Sequence, residues 1–200
     1  MNDYTRFRDG RGWQYESDGT ISIEGMKGTP RTGGQPMTMR RLHLDYGELI
    51  EEASERFGIS QACIAAVIIL ESVPEKGSFA RKPDSYRWEE RIGEPSVGLM
   101  QTLVSTAKAM DRYYKLGLNP TAHTLKDPRV SILLGTAYLA RQAERYDTQD
   151  GVLLQAAFNA GGVYYSTKDA YDTPNEWRLR THKADRTERF IRWHNDWIQR

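Results

Sequence analysis

Glu71 stands directly after ACIAAVIIL at 62–70, a run without a charged or amide side chain. A carboxyl group at the end of so apolar a helix is partly desolvated, which favours its protonated form. Such a group can hold a proton near neutral pH and donate it to a leaving oxygen, the work of a general acid. The alternative is a helix-terminal glutamate that turns to solvent or pairs with Lys76 or Arg81. A second segment, Gly98-Leu99-Met100-Gln101, follows Ser96 and leads into Ser105-Thr106-Ala107, where a helix begins. Taken alone it is a glycine-containing turn before an amphipathic helix, with Met100 as plain core. The third segment, AAFNAGG at 156–162, ends a helix on Gly161-Gly162 and holds Asn159 in its last turn. Taken alone, Asn159 is a C-terminal cap.

These residues must be held by helices. Tyr46, Leu49, Ile50, Ala53 and Phe57 recur at spacings of three and four and predict an amphipathic helix stopped by Gly58. Ser60 is the N-cap of the next, whose run over 62–70 is apolar on every side, as in a helix buried in the middle of a domain. Three more follow: 104–115, one opened by Asp127 with Pro128 at its first position, and one over 150–158. A last helix over 185–199 carries Phe190, Trp193 and Trp197 as a packing stripe. Residues 74–97 hold Pro74, Gly77, Pro83, Gly93 and Pro95 among many charges and predict an ordered loop excursion. At the N-terminus, GWQYESDGTISIE at 12–24 reads as two alternating segments joined by Asp18-Gly19, which suits a two-residue hairpin turn. Residues 25–38 are rich in Gly, Pro and Thr and read as a linker. The expectation is a mainly α protein, with a helical domain over 41–200 behind an N-terminal hairpin appendage over 1–40.

Composition narrows the partners. The chain has 28 Lys+Arg against 27 Asp+Glu, so no overall field recruits a polyanion. Arg178, Arg180, Arg186, Arg189 and Arg192 interleave with Trp177, Trp193 and acidic residues, which leaves no clean basic stripe for nucleic acid and points to packing and solvation. His43, His123, His182 and His194 lack metal-ligand spacing and read as surface or helix-end residues. Cys63, the single cysteine, excludes an internal disulfide and reads as a small core residue. No stretch nears the roughly 18 apolar residues of a membrane span, and MNDYTRFRDGRG has no apolar signal-peptide core. A substrate outside the cytoplasm is then reached by another route, such as a virion or a lysis pathway.

Taken in order, Glu71-Ser72, GLMQ at 98–101 and AAFNAGG at 156–162 resemble the lytic transglycosylase family of the lysozyme-like superfamily. The resemblance covers roughly residues 45–200, and SYRWEERIGEPSVGLMQTLVSTA with NEWRLRTHKADRTERFIRWHNDW resembles a branch with a lengthened loop before GLMQ. It implies a lysozyme-like helical domain with a saccharide cleft, cleaving peptidoglycan between N-acetylmuramic acid and N-acetylglucosamine without metal or organic cofactor. By the same resemblance Glu71 is acid and base, Ser96, Gly98, Met100 and Gln101 line the cleft, and Asn159 binds near Glu71. Amides such as Gln101 and Asn159 both donate to and accept from N-acetyl and hydroxyl groups, and Met100 offers an adaptable apolar wall. Relatives carry a tyrosine directly before the NAG triplet and another near the last helix, where this chain has Phe158 and Phe190. Tyr86, Tyr164 or Tyr165 could supply the missing hydroxyl, and Tyr164 is retained as a substrate-binding candidate.

The family's mechanism uses no protein nucleophile. Protonated Glu71 releases the leaving oxygen, the substrate's own acetamide steadies the cationic carbon, and the carboxylate then deprotonates the C6 hydroxyl, which closes a 1,6-anhydro ring. A hydrolytic muramidase of the same fold would instead need a second carboxylate, for which Glu75, Glu89, Glu90 and Glu94 are available. A third reading is a non-catalytic, wall-binding virion protein whose residues 1–40 dock on phage tail or capsid proteins. The expectation overall is a phage-encoded enzyme, virion-associated or made in the host cytoplasm, that acts on the cell wall.

Overall fold

A computed structural model describes residues 4–8, 10–165, 176–180 and 186–200. Among the described residues six α-helices dominate: α1 (Met37–Phe57), α2 (Gln61–Glu71), α3 (Val104–Tyr114), α4 (Pro128–Tyr146), α5 (Gly151–Ala160) and α6 (Arg186–Ile198). The protein is mainly α, as the periodicities predict. The helix starts are built by local chemistry. Ser60 accepts from the Cys63 amide, Asp127 from Val130, and Asp150 from Val152 and Leu153, each side chain supplying an acceptor that the first turn lacks. Gly58 ends α1 at φ 68°, a left-handed cap that glycine adopts without a Cβ clash.

The helix α2 is the centre of the core. Every residue from Ala62 to Ile69 is buried, and α1, α5 and α6 pack around it. An isoleucine or valine so enclosed contributes about 1.5–3 kcal/mol relative to an exposed one, so this short helix is held by its surroundings and needs no strong helix propensity. Cys63 is buried as expected, with its thiol shifted upward by burial. Phe190 and Trp197 of α6 are fully enclosed, so the C-terminal stripe packs back on the bundle.

Helix α1 begins at Met37, inside the segment read as linker and ahead of residue 40. Met39 and Leu42 are buried and extend the stripe of Ile50 and Ala53, while Arg40 and Arg41 between them hide the period. The N-terminal hairpin pairs β2 (Trp13–Tyr15) with β3 (Ile21–Ile23). Its turn is longer than two residues: Glu16 N donates to Thr20 O at 2.8 Å and Gly19 N to Glu16 O at 3.0 Å, with Gly19 at φ 81°. This is a tight turn followed by a left-handed glycine, and Asp18 accepts from the Thr20 amide at 2.9 Å.

The hairpin shares the main core. Phe7 of β1 (Arg6–Phe7), Trp13, Ile21 and Ile23 belong to the same buried cluster as α1, α2, α4, α5 and α6. Trp13 Nε1 donates to Asp150 at 2.8 Å, and Asn195 of α6 accepts from Ile21 N and donates to Ile21 O and Pro30 O, each at 2.8 Å. Asp196, fully buried, pairs with Arg31 at 3.1 Å and accepts from Thr32. The Gly- and Pro-rich segment is therefore pinned to α6 at these points.

Two small sheets flank the bundle. In one, β5 (Glu94–Val97) lies between β4 (Tyr86–Glu89) and β6 (Thr102–Leu103), all antiparallel. Strands β4 and β5 fall within the region read as a loop, and the alternation of Tyr86 and Trp88 was a strand signal masked by surrounding charges. In the other, β8 (Glu176–Leu179) pairs parallel with β1 and antiparallel with β7 (Val163–Tyr165). No helix among the described residues is long and apolar enough to cross a membrane.

One histidine departs from expectation. His194 is 3% exposed, lies against Phe190 and Tyr15, and is depressed by burial to about pH 4 in its titration, because α6 turns this position inward. His43 meets Trp197 edge to face, and His182 lies outside the described residues.

Candidate active site

Glu71 is the last residue of α2. Ser72 closes the helix by donating from Oγ to Ile68 O at 2.6 Å, then leaves in an extended conformation, which lets the chain turn away while the carboxyl group stays at the helix mouth. The Glu71 side chain is 6% exposed, so the solvent-facing alternative does not hold. Its Oε1 lies 3.0 Å from Arg186 Nη2 at the start of α6, and the same nitrogen donates to Leu70 O at 2.9 Å. Two influences therefore oppose each other at this carboxyl group. Burial favours the neutral acid, and the guanidinium favours the carboxylate. Desolvation alone, the basis of the sequence argument, is not its whole environment.

The turn carrying GLMQ is organised around Ser85. Its carbonyl accepts from Gly98 N at 2.8 Å and from Gln101 Nε2 at 2.9 Å, and Gln101 Nε2 also donates to Gly98 O at 2.9 Å. With both amide hydrogens so engaged, Gln101 Oε1 faces Ser96 Oγ at 3.2 Å. That hydroxyl has one proton and three acceptors: Glu89 Oε1 at 2.9 Å, Gln101 Oε1 at 3.2 Å and Arg87 O at 3.4 Å. The shortest contact is to a carboxylate, and a charge-assisted bond is the stronger one. Directing the Ser96 proton to Glu89 leaves Gln101 Oε1 as an acceptor for an N–H or O–H from outside, such as a sugar acetamide or hydroxyl.

Gly98 and Met100 have structural work beneath this turn. Gly98 sits at φ 84°, and an added Cβ would lie 2.1 Å from Leu125 O and 2.4 Å from Ser131 Oγ. Met100 is 0% exposed: its side chain packs against Gly135, Thr136 Oγ1 lies 4.0 Å from its sulfur, and its amide donates to Ser131 Oγ at 3.2 Å. The expectation of Met100 as a wall against sugar is thus corrected, because the turn folds it under and into the core.

Asn159 lies in the last turn of α5, where Gly161 at φ 71° caps the helix, so Asn159 is not the cap. Its Oδ1 is buried without a hydrogen-bond partner among the described residues, an arrangement suited to an incoming donor. Tyr164 stands on β7 opposite Arg178, 48% exposed, and Tyr86 is likewise exposed on β4. Tyr165 meets Trp177 edge to face with ring centroids 5.0 Å apart. Phe158 packs on Tyr138 and Phe190 is sealed in the core, so both positions serve packing.

The structure thus joins Ser96, Gly98 and Gln101 in one hydrogen-bonded network, puts Met100 under it, and anchors Glu71 to α6. Asn159 and Tyr164 come from the end of α5 and from β7. Sequence reasoning missed Arg186, read as a packing arginine, and offered Glu89 only as one of four loop carboxylates, without its contact to Ser96. The β4 alternation is the signal that could have singled out Glu89 among them, since the strand sets Arg87 opposite Ser96 and Glu89 two residues on.

The family model of the transglycosylase SLT domain matches residues 48–176, from within α1 to the first residue of β8. This is well over half of the chain and includes Glu71, the GLMQ turn and Asn159, while Arg186 lies beyond it. The buried acid, the polar turn and the helical frame around them accordingly have one common explanation: the chain belongs to the SLT transglycosylase family of the lysozyme-like superfamily, glycosidic-bond lyases that act on peptidoglycan.

Proposed function

We propose that the protein is a lytic transglycosylase that cuts the bond between N-acetylmuramic acid and N-acetylglucosamine and leaves a 1,6-anhydro end, with Glu71 as both acid and base. The observation that carries this reading is the enclosed Glu71 carboxyl group facing the Arg186 guanidinium. The first half of the reaction needs a proton on Glu71, which burial favours. The second half starts from the carboxylate, which Arg186 favours. A group held between these two influences can pass through both states in one turnover. The substrate's acetamide supplies the stabilisation of the cationic carbon, and Gln101 and Asn159 provide polar contacts along the sugars.

Mass spectrometry of the muropeptides released from purified sacculi tests the product. Anhydro ends support the reading, and reducing ends in their place overturn it. Glu71→Gln should leave the fold intact and abolish release of soluble fragments. Persistent release would remove Glu71 from the acid role.

A second reading, hydrolysis by the same fold, is favoured by one contact, Glu89 Oε1 at 2.9 Å from Ser96 Oγ, which puts a second carboxylate in the polar network. The same product analysis separates the two. A place in phage infection or lysis, with residues 1–40 docking on tail or capsid proteins, belongs to this proposal as well. A proteome of purified particles beside fractionated host cells tests it, and detection in cell extracts alone would sink the virion role.

A further inference from the structure

The loop that leaves Glu71 carries a charge with no counter-ion among the described residues. Arg81 is 8% exposed, and the chain around it is well held: it bridges Pro74, Lys82 N donates to Val73 O at 3.0 Å, and Tyr46 Oη lies 3.4 Å from Arg81 O. Among the described residues its Nε is buried without a partner, and its guanidinium makes no hydrogen bond or ion pair. Even arginines that are only partly buried are matched: Arg6 with Glu24, Arg31 with Asp196 and Arg186 with Glu71. Burial holds the Arg81 guanidinium below its ordinary titration range, as expected of a desolvated cation lacking a carboxylate beside it. An enclosed charge left unmatched is unfavourable, and a planar fork of N–H donors is matched best by a carboxylate.

Position suggests whose carboxylate that is. Arg81 lies in the segment between Glu71 and Ser85, the residue whose carbonyl holds Gly98 and Gln101. In peptidoglycan each muramic acid unit carries a peptide stem, and that stem bears free carboxylates. We propose that Arg81 binds a carboxylate of the peptide stem borne by the muramic acid, so that the enzyme prefers stem-bearing glycan over bare glycan. The proposal rests on peptidoglycan being the substrate and on Glu71 marking the cleft.

Isothermal titration of the full-length protein with N-acetylmuramyl-L-alanyl-D-glutamate, and with the same compound fully amidated, tests the recognition without needing turnover. The free acid should bind about tenfold or more tightly than the amide, and Arg81→Met should abolish that preference while Arg81→Lys keeps part of it. In parallel, Arg81→Met should lower kcat/KM about tenfold on stem-bearing strands and leave peptide-free strands unchanged. Equal affinity of the parent protein for acid and amide overturns the proposal, as does competition by inorganic phosphate as strong as by the free acid. A parent protein that discriminates acid from amide yet cleaves neither strand would instead overturn the catalytic reading and leave Arg81 in its role.

Discussion

Arg186 Nη2 stands 3.0 Å from Glu71 Oε1 and also grips the carbonyl of Leu70, so the first turn of α6 is fastened to the last turn of α2 at the acid itself. The contact joins a residue inside the region shared with the SLT family to one beyond it. It also sets a cation of α6 beside the Glu71 carboxyl group.

Removing the guanidinium should therefore move the pH profile of cleavage. Arg186→Met deletes the charge that favours the carboxylate, so the acid keeps its proton to higher pH and the alkaline limb of kcat/KM shifts upward. Arg186→Lys should shift it less. A limb that stays in place in both variants would show that Arg186 does not tune the acid.

Gly98→Ala should be among the most damaging single changes in the protein. A left-handed φ of 84° and a Cβ 2.1 Å from the Leu125 carbonyl act together, and backbone cannot yield as a side-chain tip can. A loss on the order of 3 kcal/mol or more is expected in urea unfolding. Gly33→Ala, where a Cβ meets nothing within 4 Å, is the control and should stay within about 1 kcal/mol of the parent. A Gly98→Ala protein of parental stability would contradict the packing described for this turn.

His194 makes stability fall in mild acid. Its folded titration lies near pH 4 against an ordinary value of 6.5, because burial penalises the imidazolium. Between those values the unfolded chain binds a proton that the native protein refuses. Stability is therefore lost as pH drops from about 6.5 to about 4, by roughly 3 kcal/mol in total, and changes no further from this source below that. His194→Gln should flatten that part of the profile, measured by denaturant unfolding at pH 7 and pH 4.5. An unchanged slope would assign the acid sensitivity to other groups.

The N-terminal hairpin should be coupled energetically to α5. Trp13 Nε1 donates to Asp150, which also caps the helix through Val152 and Leu153. A double-mutant cycle of Trp13→Phe and Asp150→Asn should give a coupling of about 1–3 kcal/mol, since a buried bond to a carboxylate is lost once and cannot be lost twice. Additive losses would mean that the hairpin docks by apolar contact alone.

Much of the scaffold is local and was legible in the sequence. The apolar run before Glu71, the caps at Ser60, Asp127 and Asp150, and the stop at Gly58 each depend on residues within a turn of one another. The order of the Glu71, GLMQ and NAG segments likewise marked the family before any coordinates. Strands β4 and β5 were missed because turn-forming prolines and glycines and dense charge outweighed a short aromatic alternation.

What only the tertiary structure decided are relations between distant segments. Arg186 reaches Leu70 across 116 positions, a pairing that no periodicity encodes because it exists only once α6 lies on α2. The same packing buries His194 and folds the hairpin into the core, and the turn above Gly135 pulls Met100 inward. Sequence determines which residues can form a helix, end it and supply an acid. Packing determines which charge faces that acid, because electrostatic environment is set by neighbours in space.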